Sequence, residues 1–243
     1  MSPNWLPLSK KVLTFALLGA AGCLLAAIVG ELFLLATHSA PIPNGICLVL
    51  DSSGSMAGEK LSEMKAAARD FVERRDLSAD EIAVVGFDSQ ATVQASLSKQ
   101  VDKLQSAILG IVEGGSTNMS AGIDAGALQL NSEGGTKSIL LFTDGQPDSA
   151  AETLQSATSC RAGGITIVAV ATGDADIGFL EQVTGDPRLV FQAASGGFDA
   201  AFKQAERAIN GLVESAPSSA SWTSGCFACR FGPLCSLWAF RSP

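Results

Sequence analysis

The sequence predicts an α/β fold: a doubly wound, mostly parallel, Rossmann-like sheet with one antiparallel edge strand, preceded by one transmembrane helix. Three observations lead there. From Ile46 on, short apolar runs alternate with longer stretches whose apolar residues recur at helical spacing, the pattern of strands and crossover helices in an α/β domain. The strand runs are apolar at consecutive positions, so both faces are buried, as in a parallel sheet covered by helices on each side. Ahead of them, residues 12–30 (VLTFALLGAAGCLLAAIVG) are uncharged and apolar character continues to Thr37, enough for a helix that needs about 20 apolar residues to cross a bilayer.

Within the domain, expected over residues 44–214, ICLVL (46–50) is the first buried strand and ends at Asp51. Glu59 to Arg75 follows as a helix, with Leu61, Met64, Ala68, Phe71 and Val72 at helical spacing. EIAVVGF (81–87) and ATVQASL (91–97) are strands joined by Asp88, Ser89 and Gln90 alone. So short a link makes an antiparallel hairpin, because a parallel crossover takes about a dozen residues or more. Helices are expected near 98–112 and 119–130, split by Gly114-Gly115-Ser116-Thr117, and SILLFT (138–143) is a further apolar strand ending at Asp144-Gly145. A helix over 150–162, the strand ITIVAVAT (165–172), a short helix around 176–184, the strand RLVFQA (188–193) and a helix from Phe198 to about Val213 complete the domain. Residues 215–243 form a Ser/Cys-rich aromatic tail with no clear period.

The chain has 243 residues, 47% of them hydrophobic and 16% charged, and a net charge of −8. That length suits one domain with appendages. The acidity, with a pI near 4.6, excludes a nucleic-acid binder, which needs a basic footprint on phosphate. Glu31 is the only acid outside residues 44–215, so the negative charge belongs to the domain. The mean hydropathy of +0.30 owes much to the N-terminal run. There is one histidine, His38, in the linker. It cannot by itself fill the roles of a Ser-His-Asp or Cys-His hydrolase or of a His-ligated zinc protease. What remains is chemistry by carboxylates, hydroxyls and thiols.

Lys10 and Lys11 precede the apolar run, and the next base is Lys60. The positive-inside rule then puts residues 1–11 in the cytoplasm, 12–37 across the cell membrane as a single anchor, 38–43 as a linker and the domain outside. The run is too long for a cleaved signal peptide, whose apolar region spans about 7–15 residues. Cys23 reads as a membrane-helix residue, and Glu31 as a helix-end residue within reach of the interface. Cys47 and Cys160 read as small buried hydrophobes. Cys226, Cys229 and Cys235 cluster in the tail, where one disulfide and an odd thiol suit an extracytoplasmic chain better than a zinc site lacking its fourth ligand.

Ligands of a doubly wound sheet bind at the carboxyl ends of its strands. Three oxygen-rich loops fall there: Asp51-Ser52-Ser53-Gly54-Ser55, Gly115-Ser116-Thr117 and Thr143-Asp144-Gly145. Carboxylates and hydroxyls without His or Cys are hard ligands, suited to magnesium. A blander reading makes Asp51 and Ser55 caps of the next helix and Asp144-Gly145 a turn. Asn118, Asp148 and Asp174, in loops nearby, read as solvated polar residues.

The D-x-S-x-S run at Asp51, Ser53 and Ser55, the GGST loop with Thr117, and ILLFTDG with Asp144 resemble, in that order, the von Willebrand factor type A family. The resemblance covers about residues 44–214 and matches the family's metal-ion-dependent adhesion site at all five positions. It implies Ser53 and Ser55 as direct ligands of magnesium, or of manganese, and Thr117 as a direct or water-mediated one. It implies Asp51 and Asp144 often acting through water, and an Asp or Glu of a partner protein completing the shell. The implied function is membrane-anchored, metal-dependent protein binding without enzymatic activity. Some membrane-anchored relatives act with MoxR-type AAA+ ATPases in assembling, or inserting metal into, other complexes. That alternative places the domain in the cytoplasm.

Overall fold

Strands that are apolar on both faces need a helical layer on each side, and the computed structural model has this three-layer arrangement. It describes residues 43–131, 135–173, 175–193 and 197–215. The chain divides between Ile42 and Pro43 into two units, and the described residues all belong to the second. The expected anchor (12–37), with Cys23 and Glu31, His38, and the tail cysteines Cys226, Cys229 and Cys235 lie outside the described residues. Among the described residues no helix is long and apolar enough to cross a membrane.

The strands are β1 (Asn44–Asp51), β2 (Asp80–Phe87), β3 (Ala91–Ser98), β4 (Lys137–Thr143), β5 (Ile165–Thr172) and β6 (Val190–Ala193). The helices are α1 (Glu59–Arg74), α2 (Val101–Leu109), α3 (Met119–Gln129), α4 (Ala150–Ala162), α5 (Ile177–Thr184) and α6 (Phe198–Ser215). The sheet runs β3-β2-β1-β4-β5-β6. Every pair is parallel except β2 with β3, as the short hairpin link requires.

Alternate residues of each strand enter opposite cores. Ile46, Leu48 and Leu50 of β1 pack with Met64, Phe71, Leu104, Ile108 and Phe202 beneath α1, α2 and α6. Cys47 and Val49 pack with Met119, Ile123, Ala157, Leu180 and Val183 beneath α3, α4 and α5. Burying each large apolar side chain in this way stabilises the fold by about 1.5–3 kcal/mol. Phe142 of β4 stacks on Phe198 at 5.2 Å and Phe202 at 5.6 Å between ring centroids, which fixes α6 beside the strand that leads to Asp144. On the other face α3 presents glycines to the sheet: a Cβ at Gly126 would lie 2.8 Å from Val49 and one at Gly122 2.9 Å from Phe87.

At the end of the sheet remote from the three oxygen-rich loops, Asn44 joins three strand starts. Its amide donates to Asp80 Oδ1 at 3.0 Å and its oxygen accepts from Thr136 Oγ1 at 2.8 Å. Arg75 meets the other oxygen of Asp80 at 2.5 Å, with each side chain 5% exposed. Removing one partner of such a buried pair costs about 3–5 kcal/mol.

β1 starts at Asn44 and α6 runs to Ser215, each two residues beyond the sequence expectation, and two other boundaries differ for a local reason. β6 starts at Val190 rather than Arg188, because Pro187 has no N–H for a ladder and Asp186 caps a 3-10 turn over Pro187–Leu189. α2 is confined to Val101–Leu109, since Ser98 still pairs with Ile82 in β3 and Gly110 closes the helix.

Candidate metal centre

β1 and β4 are adjacent at the centre of the sheet, and Leu50 pairs with Phe142. The chain therefore leaves both strands side by side, at Asp51 and at Thr143-Asp144. Asp51 is wholly buried. Its Oδ1 accepts the main-chain N–H of Ser53 at 2.9 Å and its Oδ2 the hydroxyl of Thr143 at 2.6 Å. The turn so formed sets Ser53 Oγ 3.1 Å from Ser55 Oγ, and Ser55 Oγ donates to Asp144 Oδ1 at 2.7 Å. Burial pushes the Asp51 carboxyl above the usual carboxylate range, and repulsion from Asp144 acts in the same direction. Hydrogen bonds from Ser53 and Thr143 pull it back.

The third loop is clasped to this turn through its main chain. Gly114 N–H donates to Ser52 O at 2.8 Å, and Gly54 N–H to Gly115 O at 3.3 Å. Gly115 has φ +63°, and a Cβ there would stand 2.4 Å from Ser89 Oγ and 2.9 Å from Ser89 N; only glycine satisfies both demands. Thr117 is held by its backbone: its N–H donates to Asp148 Oδ1 at 3.1 Å and its carbonyl accepts from Asp148 N–H at 2.9 Å. Its hydroxyl makes no hydrogen bond among the described residues.

Of the five residues singled out in the sequence, Asp51, Ser53, Ser55 and Asp144 form one connected network. Thr117 sits on the loop clasped to it. The capping alternative fails, because the N-caps of the 3-10 turn Gly54–Met56 and of α1 are Ser53 and Gly58, and neither end has a side-chain cap bond. Two residues read as solvated loop polars also hold the loops together: Asp148 is exposed, as expected, and Asn118 half-buried. Asp148 braces the Thr117 loop, also accepting Ser116 Oγ at 2.5 Å. Asn118 caps α3 by accepting Ala121 N–H at 3.1 Å. Asp174 lies outside the described residues.

Sequence reasoning missed Lys60. From the first turn of α1 its Nζ reaches Asp144 Oδ2 at 2.5 Å and the Ser55 carbonyl at 3.3 Å. The available signal was its position: a cation in the first turn opposes the positive end of the helix dipole, so something nearby has to compensate it.

The donor set fits a small hard cation. Around octahedral magnesium, with oxygens about 2.1 Å from the ion, neighbouring ligands lie about 3.0 Å apart. The Ser53–Ser55 and Ser55–Asp144 oxygen spacings, 3.1 and 2.7 Å, straddle that value. Among the described residues no three His, Cys, Asp or Glu side chains gather as a metal cluster, so serine hydroxyls would have to share the work with Asp144. Asp51, with a donor on each oxygen, fits a supporting place behind the serines.

A sequence model of the von Willebrand factor type A domain matches residues 45–215. The chain belongs to this family. The von Willebrand factor type A (VWA) domain is 31% identical over 120 residues to the uncharacterized protein sll0103 of Synechocystis sp., covering 45% of this chain and 27% of that protein. It is 33% identical over 113 residues to human calcium-activated chloride channel regulator 4, covering 43% of this chain and 12% of the other. The chain thus matches about a quarter or less of the length of these relatives. Among solved structures, the VWA domain resembles proximal thread matrix protein 1 of the mussel byssus, solved with zinc in its adhesion-site motif. The TM-score is 0.62 at 24% identity, with 72% of this chain and 47% of the other covered, a likeness of fold. VWA domains typically serve in protein interaction or adhesion.

Proposed function

We propose that this VWA domain is a divalent-metal-dependent protein-binding module, not an enzyme, carried outside the cell membrane by an anchor over residues 12–37. The observation that carries the reading is the row of oxygens Ser53 Oγ, Ser55 Oγ and Asp144 Oδ1 at 3.1 and 2.7 Å. Ser53, Ser55 and Asp144 would hold magnesium, or manganese of the same oxygen preference, with Thr117, on the loop clasped to the serine turn, joining directly or through water. Asp51 orients the Ser53 turn, and Asp148 orients the Thr117 loop. Zinc in the corresponding motif of proximal thread matrix protein 1 supports a divalent ion. When bound, the ion supplies a Lewis-acid position for an Asp or Glu carboxylate of a partner protein. An acidic domain needs such a local inversion of charge to bind a carboxylate.

The test is capture of partners from the native membrane by wild type and by a Ser53→Ala, Ser55→Ala double variant, each with and without EDTA. Partners held by wild type alone, and lost in EDTA, are expected; an identical set in all arms sinks the reading. Orientation is tested separately, by protease added to intact cells. Digestion of the domain is expected, whereas protection would place it in the cytoplasm, where the AAA+ ATPase alternative operates.

A further inference from the structure

Lys60 places its ammonium on Asp144 Oδ2, the oxygen of that carboxylate which the Ser53–Ser55–Asp144 row does not use. The Asp144 side chain is 1% exposed and that of Lys60 44%. The acid is therefore fixed and buried, while its counter-ion reaches in from solvent on a flexible four-carbon stem. That stem begins at the second residue of α1, whose N-cap, Gly58, has no side-chain oxygen to offer. Local structure thus disfavours a cation here, and the contact with Asp144 offsets it. The Gly173 turn lies beside the ammonium: a Cβ at Gly173 would stand in ordinary contact with Lys60 Nζ, at 3.6 Å.

We propose that Lys60 is a tethered internal counter-ion of the metal centre, which holds Asp144 and the Ser55 turn while no divalent ion is bound and withdraws to solvent when one binds. The proposal rests on the metal-binding reading above. Asp51 and Asp144 are both buried acids close enough to repel one another, and an uncompensated buried charge is strongly destabilising. Lys60 supplies the compensating charge and keeps the Ser53–Ser55–Asp144 row assembled. Loading weakens the same contact, because an ammonium against Asp144 Oδ2 and a dication on the Oδ1 side of that carboxylate repel at short range. Lys60 thereby raises the metal concentration at which the centre fills, and makes filling an exchange of cations.

The experiment uses the full chain in detergent, as wild type, Lys60→Met and Lys60→Gln, titrated calorimetrically with Mg2+ and with Mn2+. Melting temperatures are measured in EDTA and after adding the ion. Acetylation of Lys60 in the wild type is followed residue by residue with and without the ion. Both variants are expected to bind the ion about fivefold more tightly, the factor a partly exposed charge pair contributes. They are also expected to melt lower in EDTA and to gain more on adding the ion, and Lys60 of the wild type to acetylate faster with the ion present. Unchanged affinity in the variants, or acetylation unchanged or slowed by the ion, overturns the counter-ion proposal and leaves metal binding intact. Absence of ion binding by wild type overturns the metal-binding reading and the proposal together. The acetylation arm needs no variant, so it decides the matter even if both substitutions prevent folding.

Discussion

Thr143 donates its hydroxyl to Asp51 across 2.6 Å, and neither residue is exposed to solvent. The last residue of β4 thus holds the carboxylate at the end of β1, and through Ser53 N–H that carboxylate shapes the serine turn. A chain of local bonds carries the order of the sheet into the loop where an ion would sit.

Replacing Thr143 with Val keeps the shape and removes the donor. Asp51 then keeps a buried oxygen with no partner, a loss of about 1–3 kcal/mol. Chemical denaturation in EDTA should show that loss, and calorimetry should show weaker ion binding. Thr143→Ser should restore most of both. Equal stability for the Val variant would mean that the bond contributes nothing.

The pH dependence follows from Asp51. Burial above all raises its carboxyl in the native state, so the metal-free fold binds that proton more tightly than the unfolded chain does. Its stabilising contribution is full below the unfolded carboxylate range, near about pH 4, and is lost as pH rises through the raised native value. An ion requires the charged form. The rise in melting temperature on adding Mg2+ should therefore be largest near about pH 7 and shrink towards about pH 5. Scanning calorimetry at the two pH values checks it, and an increment that does not change with pH contradicts the assignment.

Asp148 acts on the Thr117 loop without belonging to the oxygen row. Asp148→Ala removes acceptors from Thr117 N–H and Ser116 Oγ. Ion affinity is expected to fall several-fold, with a stability loss of about 1 kcal/mol. Titration calorimetry alongside denaturation separates the two effects. A loss of stability with unchanged affinity would confine Asp148 to a structural role.

Cys47 and Cys160 are free thiols inside the second core. Burial pushes the Cys160 thiol up to about 11 and that of Cys47 still higher. Iodoacetamide at about pH 7.5 acts on thiolates, so both should stay unmodified in the folded protein and react once denaturant is added. Mass spectrometry of the individual peptides reads this directly. Rapid labelling of Cys160 in the native state would show that α4 opens locally.

The fold was legible because its strands are apolar on both faces and its one tight hairpin leaves no freedom of direction. The oxygen row was legible because β1 ends on Asp51 and β4 runs directly into Asp144, each at the start of a glycine-containing loop. The pairings of Thr143, Asp148 and Lys60 were not, because each acts through a partner 92, 31 or 84 residues away in the chain. Pairings of that range are set by the packing of loops and leave no local period. Lys60 alone left a trace, as a charge at the wrong end of its helix.

Asp51 and Thr143 close neighbouring strands, and such strands are spaced about 4.8 Å apart by main-chain hydrogen bonds that do not depend on side-chain identity. The two walls of the centre therefore share a gauge that belongs to the ladder. Loop residues around the rim can be exchanged to suit one partner or another without resetting the distance between those walls. Recognition and the support of an ion would in this sense be separately adjustable, the first through the loop rim and the second through the Asp51–Thr143 pair that the sheet holds behind the serine turn.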